Sequence, residues 1–197
     1  MSIIIGLTGP TGAGKSTAAA AAKSFGLQVI DCDKLARAAT EKGTDGLKAL
    51  VAAFGKEILL PDGSLDRRAL AAAAFASHQK TELLNETILP HIVKLVLAEA
   101  DGKNVLLDAP TLFESGLNSV CTAVIAVSAN VEIRKERIIK RDGLSPDAAD
   151  LRINAGKTDE YSKQKADYFL YNNSDAKAFY ERFSDILEKI IGGNING

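Results

Sequence analysis

A glycine-rich stretch near the start of the chain has the residue types and spacing of a phosphate-binding loop. Residues 9–17 read G-P-T-G-A-G-K-S-T and match the pattern G-x-x-x-x-G-K-[ST]. Glycines let backbone N–H groups approach an anion, a lysine there neutralises the outer phosphates, and a serine hydroxyl there ligates Mg²⁺. We therefore expect a nucleoside triphosphate to be held by Gly9, Thr11, Gly12, Ala13, Gly14, Lys15, Ser16 and Thr17, with Ser16 also a metal ligand.

The residues on either side of this loop predict the elements that position it. Residues 3–7 are apolar and mostly β-branched, as in a buried parallel strand, and the alanine-rich residues 18–23 favour a helix. A strand, a glycine turn and a helix start gather N–H groups at the positive end of the helix. The alternative, a glycine turn that only links strand to helix, leaves the Lys15-Ser16 pair unexplained.

Three aspartates follow predicted strands, where an open α/β sheet carries its chemistry. Asp108 ends the apolar segment 104–108 and is the candidate partner of Mg²⁺, although it could also cap the next turn. Asp31 and Asp33 lie at the end of a strand predicted over 27–33. We expect their side chains to diverge, with Asp33 facing the phosphates as the base for an acceptor hydroxyl. Aspartates before a helix are also common N-caps.

Three arginines fall at helical spacing late in the chain. Arg134, Arg137 and Arg141 share one face of a helix predicted over 132–142, and a polar segment over 143–162 follows. A lid that brings arginines to a transferring phosphoryl group and excludes water fits this arrangement. The alternative is a solvated helix face paired with the neighbouring glutamates.

The order of elements predicts a three-layer α/β fold with a five-stranded parallel sheet. We expect a nucleotide-binding core over residues 1–58 and 100–191, with a lid at about 142–160. Residues 59–99 read as a helical insertion that lacks a strand, in which Pro90 should kink or split a helix. A helix is expected over 34–54, with a break near Gly43 and Gly46, and residues 192–197 as a disordered tail.

Composition excludes several classes of function. A net charge of −1 argues against nucleic acid as the main partner. The two cysteines make neither a disulfide framework nor a metal cluster. The chain shows no signal peptide and no apolar run long enough to cross a membrane, so we expect a cytoplasmic protein.

The order of several motifs resembles the dephospho-coenzyme A kinase family. The loop with its preceding strand, the acidic segment 29–33 with Arg37, and residues 54–55 followed by 62–67 are similar to the family's first motifs. Residues 108–114, the Arg137-Ile138 pair with Arg141, and residues 166–172 resemble its later ones. The acidic second strand and the segment ending in Asp66-Arg67 are the specific signals, because the loop is shared by very many proteins.

The resemblance implies an ATP-dependent kinase that phosphorylates the ribose 3′-hydroxyl of dephospho-coenzyme A, with Mg²⁺. It implies Asp33 as the base, and Lys15 and Arg141 at the transferring phosphoryl group. Arg137 would bind the nucleotide. Substrate contacts would come from Asp33, Arg37, Asp66, Arg67, Asp108 and Glu114, and the metal ligands would be Ser16 and Asp108.

Two other functions remain open from the sequence. One is another small-molecule P-loop kinase, acting on a nucleoside, a nucleotide or a shikimate-like alcohol, although a nucleotide kinase has no reason to share the acidic second strand together with Asp66-Arg67. The other is a nucleotide-dependent switch, against which the chain lacks the N-K-x-D motif that reads guanine. The sequence does not indicate an oligomeric state.

Overall fold

A computed structural model of the chain describes residues 2–154 and 156–193. Its centre is a parallel sheet of five strands: β1 (Ile4–Thr8), β2 (Gln28–Asp31), β3 (Val105–Asp108), β4 (Ala123–Ser128) and β5 (Tyr168–Tyr171), in the order β2-β3-β1-β4-β5. β1 lies between β3 and β4, with Gly6 opposite Leu107 on one side and Val124 on the other. The predicted three-layer fold with five parallel strands is confirmed.

Nine helices surround the sheet in the described part of the chain. In chain order they are α1 (Lys15–Ser24), α2 (Cys32–Ala39), α3 (Asp45–Phe54), α4 (Arg67–Ala74), α5 (His78–Glu99), α6 (Val131–Asp142), α7 (Pro146–Asn154), α8 (Asp159–Lys165) and α9 (Ala176–Gly193). α1 and α9 cover one face of the sheet, where Phe179, Phe183 and Leu187 pack on Ile5 and Ile125. α2 and α5 cover the other face through Leu35, Ile92 and Val96.

The structure corrects the predicted boundary of the second strand. β2 ends at Asp31, and α2 begins at Cys32, so Asp33 lies in the first turn of a helix and not on a strand. Asp31 accepts a hydrogen bond from the backbone N–H of Lys34 (3.1 Å), which caps α2 and starts the helix early. The helix expected over 34–54 is two helices, α2 and α3, because it breaks at Thr40–Thr44 around Gly43, as predicted. Gly46, named with Gly43 for that one break, lies just after it in the first turn of α3.

Residues 59–99, expected to form a helical insertion that lacks a strand, contain α4 and α5. One antiparallel bridge joins Leu59 to Leu65, so the segment is not wholly free of β pairing. α5 continues through Pro90 as one helix of 22 residues, so it is not split in two. Packing of Ile88 and Ile92 on both sides of the proline holds the helix together despite the backbone hydrogen bond that proline cannot make.

The ends of the described chain differ from the expected tail. Residues 192 and 193 complete α9, so they are helical and not disordered, because the amphipathic helix runs on past Ile191. Residues 194–197 lie outside the described residues, as does residue 155 of the expected lid. No described helix is long and apolar enough to cross a membrane.

Candidate active site

The glycine-rich loop joins β1 to α1 at the carboxyl edge of the sheet. Gly12 and Gly14 have φ angles of 79° and 99°, in the left-handed region that favours glycine. A Cβ on Gly14 would collide with the side-chain amide of Asn172, and one on Gly12 would press on the backbone of Arg134. The loop therefore needs glycine both for its own conformation and for the neighbours that approach it.

Lys15 lies at the first position of α1 and points back across the loop. Its Nζ donates a hydrogen bond to the carbonyl of Gly9 (2.9 Å). Burial lowers the pKa of Lys15, while the nearby carboxylates of Asp108 and Asp33 act to raise it. The ammonium is thus held in the loop, at the position where a phosphate could replace the carbonyl.

A cavity of about 920 Å³ lies against the loop and α1. Its volume is near the upper end of the range of about 300–1,000 Å³ for small-molecule sites. It brings together all of the predicted nucleotide-binding residues except Gly9, and also the predicted Arg141 and Asp108. The cavity is lined by Pro10, Thr11, Gly12, Ala13, Gly14, Lys15, Ser16, Thr17, Asp108, Pro110, Arg137, Lys140, Arg141, Arg152, Asn172 and Ala176.

The three arginines of α6 share one face, as predicted, and that face touches the loop. Arg134 is buried, and its Nε donates to the carbonyl of Thr11 (3.0 Å). Arg137 Nη1 donates to the carbonyl of Gly12 (3.2 Å). Arg141 Nη2 reaches the Thr11 hydroxyl (3.4 Å). Because all three arginines bond to the loop, this face of α6 is not simply a solvent-exposed surface.

Two side chains that the sequence reasoning did not assign to the site hold these groups in place. Asp142 accepts from Arg141 Nε (2.7 Å) and Nη2 (2.8 Å), and also from Arg152 Nη1 (2.8 Å). Asn172 is 4% exposed, and its Nδ2 donates to the carbonyl of Ala13 (3.0 Å), while its own carbonyl accepts from Arg137 Nη2 (3.1 Å). Asn172 appeared in a late motif of the sequence, so a signal for it existed. No sequence motif pointed to Asp142.

Three aspartates meet at the carboxyl edge beside the loop. Asp31 and Asp108 are paired in register on adjacent strands. Burial raises the pKa of Asp108, Lys15 lowers it, and the charges of Asp31 and Asp33 raise it further. Asp108 Oδ1 is buried and has no hydrogen-bond partner among the described residues. The edge therefore holds a carboxylate with one oxygen free for a ligand.

Asp31 and Asp33 do not both lie on a strand, although a strand was predicted over 27–33. On one strand, side chains two residues apart would point to the same face and would not diverge. The helix start separates them, because Asp31 is occupied in capping α2 while Asp33 lies in its first turn and is exposed. Asp33 does not line the cavity beside Lys15, but its charge acts on both Lys15 and Asp108.

The predicted substrate residues lie outside that cavity, apart from Asp108. Arg37 is one turn after Asp33 on α2 and is exposed. Arg67 Nη2 donates to the Thr40 hydroxyl (3.2 Å), which ties the start of α4 to the end of α2. Asp66 caps α4 by accepting from the N–H groups of residues 68 and 69. Glu114 lines a second cavity on the other side of the loop.

Comparison with known sequences supports one family. Residues 3–178 match the model of a family described as dephospho-CoA kinase. The dephospho-CoA kinase of Listeria innocua serovar 6a is 36% identical over 193 residues, covering 95% of this chain and 96% of that protein. That of Arabidopsis thaliana is 35% identical, covering 95% of this chain and 83% of that protein. The Mycobacterium leprae enzyme is 38% identical over 93% of this chain, which spans only 46% of that protein.

Solved structures agree with these sequence matches. TT1252 from Thermus thermophilus has a TM-score of 0.74 and 31% identity, covering 95% of this chain and 97% of that one. The dephospho-CoA kinase from Campylobacter jejuni has a TM-score of 0.64 and 26% identity, covering 98% and 100%. The shikimate kinase of Bacteroides thetaiotaomicron, at 17% identity and a TM-score of 0.53 over 96% and 98% of the two chains, shares the fold alone.

Proposed function

This chain belongs to the dephospho-CoA kinase family, and on that premise we propose that it transfers the γ-phosphoryl group of ATP to the ribose 3′-hydroxyl of dephospho-CoA. The single observation that carries the proposal is the junction of the glycine-rich loop with three carboxylates at one sheet edge. The loop supplies a donor site, and the carboxylates supply a base and a metal ligand. The alternative of a nucleoside or nucleotide kinase has no support in the family match.

The donor's phosphates fit the loop because their charge meets aligned N–H groups and three cations. Residues 12–17 line the cavity at the N-terminus of α1, where helix N–H groups attract anions, and Lys15 and Arg141 line the same cavity. Arg137 braces the loop through the carbonyl of Gly12 and borders the same cavity. Lys15 and Arg141 would stabilise the charge that develops on the transferring group.

Asp33 is the proposed base because, of the two neighbouring carboxylates, Asp31 caps α2 and Asp108 is more buried. Asp31 is bound to the backbone of Lys34 and lies 3.6 Å from that side chain's ammonium. Asp108 is deeper, and its pKa is raised by burial. Asp33 is exposed at the mouth of the site, where it could orient an acceptor hydroxyl and accept its proton.

Mg²⁺ is the expected metal, and the residues present suit it. Ser16 and Asp108 offer oxygen ligands, and the unpartnered Oδ1 of Asp108 leaves one such position open. Among the described residues there is no cluster of three or more metal-binding side chains. That agrees with a cation held by one or two protein oxygens and shared with phosphates. Bound there, it would neutralise charge on the β- and γ-phosphates.

Arg37 and Arg67 are the proposed cations of the acceptor side, with Asp66 supporting Arg67 through the cap of α4. The lid proposal is supported by the packing of α7, whose Ala149 and Ile153 touch Ile138 of α6 in a small cluster apart from the two main cores. A segment with so little buried apolar area opens at low free-energy cost. The two unpaired cysteines support a reducing compartment, which we take to be the cytoplasm.

The test is ADP release in the presence of ATP and Mg²⁺ with dephospho-CoA, adenosine or AMP as acceptor. We expect turnover with dephospho-CoA only, at a rate that the Lys15→Ala variant, prepared in parallel, does not reach. That variant serves as the control for contaminating kinases. Turnover with AMP but not with dephospho-CoA would overturn the proposal.

A further inference from the structure

A second cavity, of about 370 Å³, borders the side of the loop away from α1. Its walls come from the start of the loop (residues 8–11), the segment after β3 (within 110–114) and residues around the start of α8 (within 156–162). A volume near the lower end of the range for small-molecule sites suits a nucleoside-sized group. It is too small for a whole dephospho-CoA.

Two aromatic rings stand in this cavity and are half-buried. Phe113 and Tyr161 meet edge to face, with centroids 6.1 Å apart and planes at 83°. The Phe113 ring packs against the core of the α2 face, and the tyrosine comes from α8. Neither ring is needed by the donor chemistry, because neither lines the cavity beside Lys15.

Positive charge surrounds these rings in a chain whose net charge is only −1. Lys157 Nζ lies 5.4 Å, and Lys165 Nζ 4.6 Å, from the Tyr161 centroid. Arg152 adds a third cation at the cavity wall. Aromatic faces together with cations suit a ligand that carries both a flat base and phosphates.

The two cavities meet at one place. Pro10, Thr11, Pro110 and Arg152 line both of them. A phosphoryl transfer needs its donor and acceptor to approach in line, so a group in the second cavity is held beside the end of the donor's phosphates. Phe113 packs against the core cluster that contains Cys32, the residue before Asp33 in the first turn of α2.

We propose that this second cavity is the base-binding subsite of the acceptor: the adenine ring of dephospho-CoA stacks on Phe113 and Tyr161. Its phosphates lie toward Arg152 and Lys157, and the pantetheine arm extends outside. Glu114, half-buried in the same wall with its backbone carbonyl fixed by Asn85 Nδ2 (2.7 Å), accepts from the exocyclic amine of adenine. The assignment rests on the proposed function, because it names the acceptor.

The experiment measures steady-state kinetics with dephospho-CoA and ATP for Tyr161→Leu, Tyr161→Phe and a control, Phe169→Leu. Phe169 also makes an edge-to-face pair, with Tyr171 (5.1 Å), under a lysine, but lines none of the described cavities. We expect Tyr161→Leu to raise the KM for dephospho-CoA roughly 10- to 100-fold, the range of one lost base stack. The KM for ATP should stay unchanged, which also shows that the variant is folded, and Tyr161→Phe and Phe169→Leu should behave as wild type.

Inhibition at saturating ATP identifies which part of the acceptor binds there. AMP should inhibit wild type more strongly than IMP does, Tyr161→Leu should weaken inhibition by AMP, and Glu114→Gln should remove the preference for AMP. Inhibition by 4′-phosphopantetheine should be the same in all of them. An unchanged acceptor KM in Tyr161→Leu, or a loss of 4′-phosphopantetheine inhibition in place of AMP inhibition, overturns the subsite. If wild type does not phosphorylate dephospho-CoA at all, the proposed function fails first.

Discussion

The side-chain amide of Asn172 donates a hydrogen bond to the carbonyl of Ala13 over 3.0 Å, and so joins the end of β5 to the glycine-rich loop. The two residues are 159 positions apart in the chain. Asn172 is buried, and its own backbone carbonyl and side-chain oxygen accept from Arg137. Asn172 therefore holds both the loop and Arg137, the arginine that we expect to bind the nucleotide.

Replacing Asn172 with Ala should weaken ATP binding and stability together. The change leaves the Ala13 carbonyl without its side-chain partner, which costs about 1–3 kcal/mol, while Arg137 Nη2 keeps its bond to the backbone carbonyl of residue 172. We expect a fall in the free energy of unfolding of that size and a raised KM for ATP, measured by denaturant unfolding and steady-state kinetics.

Asn173→Ala is the matched control, because the side chain of the neighbouring Asn173 bonds to Asn130 at the surface. It should leave the KM for ATP unchanged. Equal effects of the two changes would mean that the Asn172 bond does not shape the loop.

Replacing Lys15 with Ala should abolish tight triphosphate binding. Among the described residues Lys15 is the one lysine with a hydrogen bond to the loop, and the other lysine of α1, Lys23, lies in its last turn. We expect ATP affinity, measured by calorimetry, to fall at least about tenfold, the equivalent of about 1.4 kcal/mol. Lys23→Ala, in the last turn of the same helix, should bind ATP as wild type does. Unchanged ATP binding in Lys15→Ala would contradict the donor site.

Replacing Asp33 with Asn should lower kcat steeply and leave ATP binding nearly intact. Loss of a general base reduces the rate by about 10²- to 10⁴-fold. Asp31→Asn is the control, because an asparagine side-chain oxygen can still cap α2, so this change should cost little stability and little rate. If Asp31→Asn lost the rate and Asp33→Asn kept it, the base would be Asp31.

Replacing Asp108 with Asn should make the protein inactive but more stable at neutral pH. Burial raises the pKa of this carboxyl above its ordinary value of 3.8. At pH values between the ordinary pKa of the unfolded chain and the raised pKa of the folded chain, the folded chain binds more protons. The free energy of unfolding therefore falls as pH rises through that window. Above that pH window, ionised Asp108 carries the free-energy cost of burying a charge, and a neutral asparagine side chain does not.

Thermal unfolding of wild type and Asp108→Asn across pH 3 to 8 checks this sign. The gain in Tm should be largest at neutral pH and vanish as pH falls to the ordinary value. Asp62→Asn should show no such gain, because hydrogen bonds from Ser64 lower the pKa of the exposed Asp62. A stability gain independent of pH would rule out the ionisation of Asp108 as its cause.

Local patterns predicted the elements better than their ends. The apolar segments before Thr8, Asp108 and Ser128 are strands, because a buried parallel strand must be apolar on both faces. The boundary at Asp31 was missed because its capping bond to Lys34 competes with one more residue of strand. Pro90 did not split α5, because the packing of the helix outweighed the tendency of proline to break it. That packing cannot be read from the residues around Pro90 alone.

The site was predicted where its signal is contiguous and missed where it is not. The loop residues and the arginine face of α6 follow from spacing alone. The bond from Asn172 to Ala13 and the bond from Arg152 of α7 to Asp142 of α6 join residues from separate elements. No pattern within one element encodes such a contact, since it depends on how the elements pack.

The position of β1 in the middle of the sheet has a consequence for synthesis on the ribosome. β1 is buried on both faces in the folded chain and is made before its neighbours β3 and β4, which begin only at residues 105 and 123. At translation rates of roughly 5–20 residues per second, Ile4–Thr8 waits on the order of 10 s for its partners. During that time the nascent chain exposes an unpaired, aggregation-prone strand next to the loop that will later hold ATP.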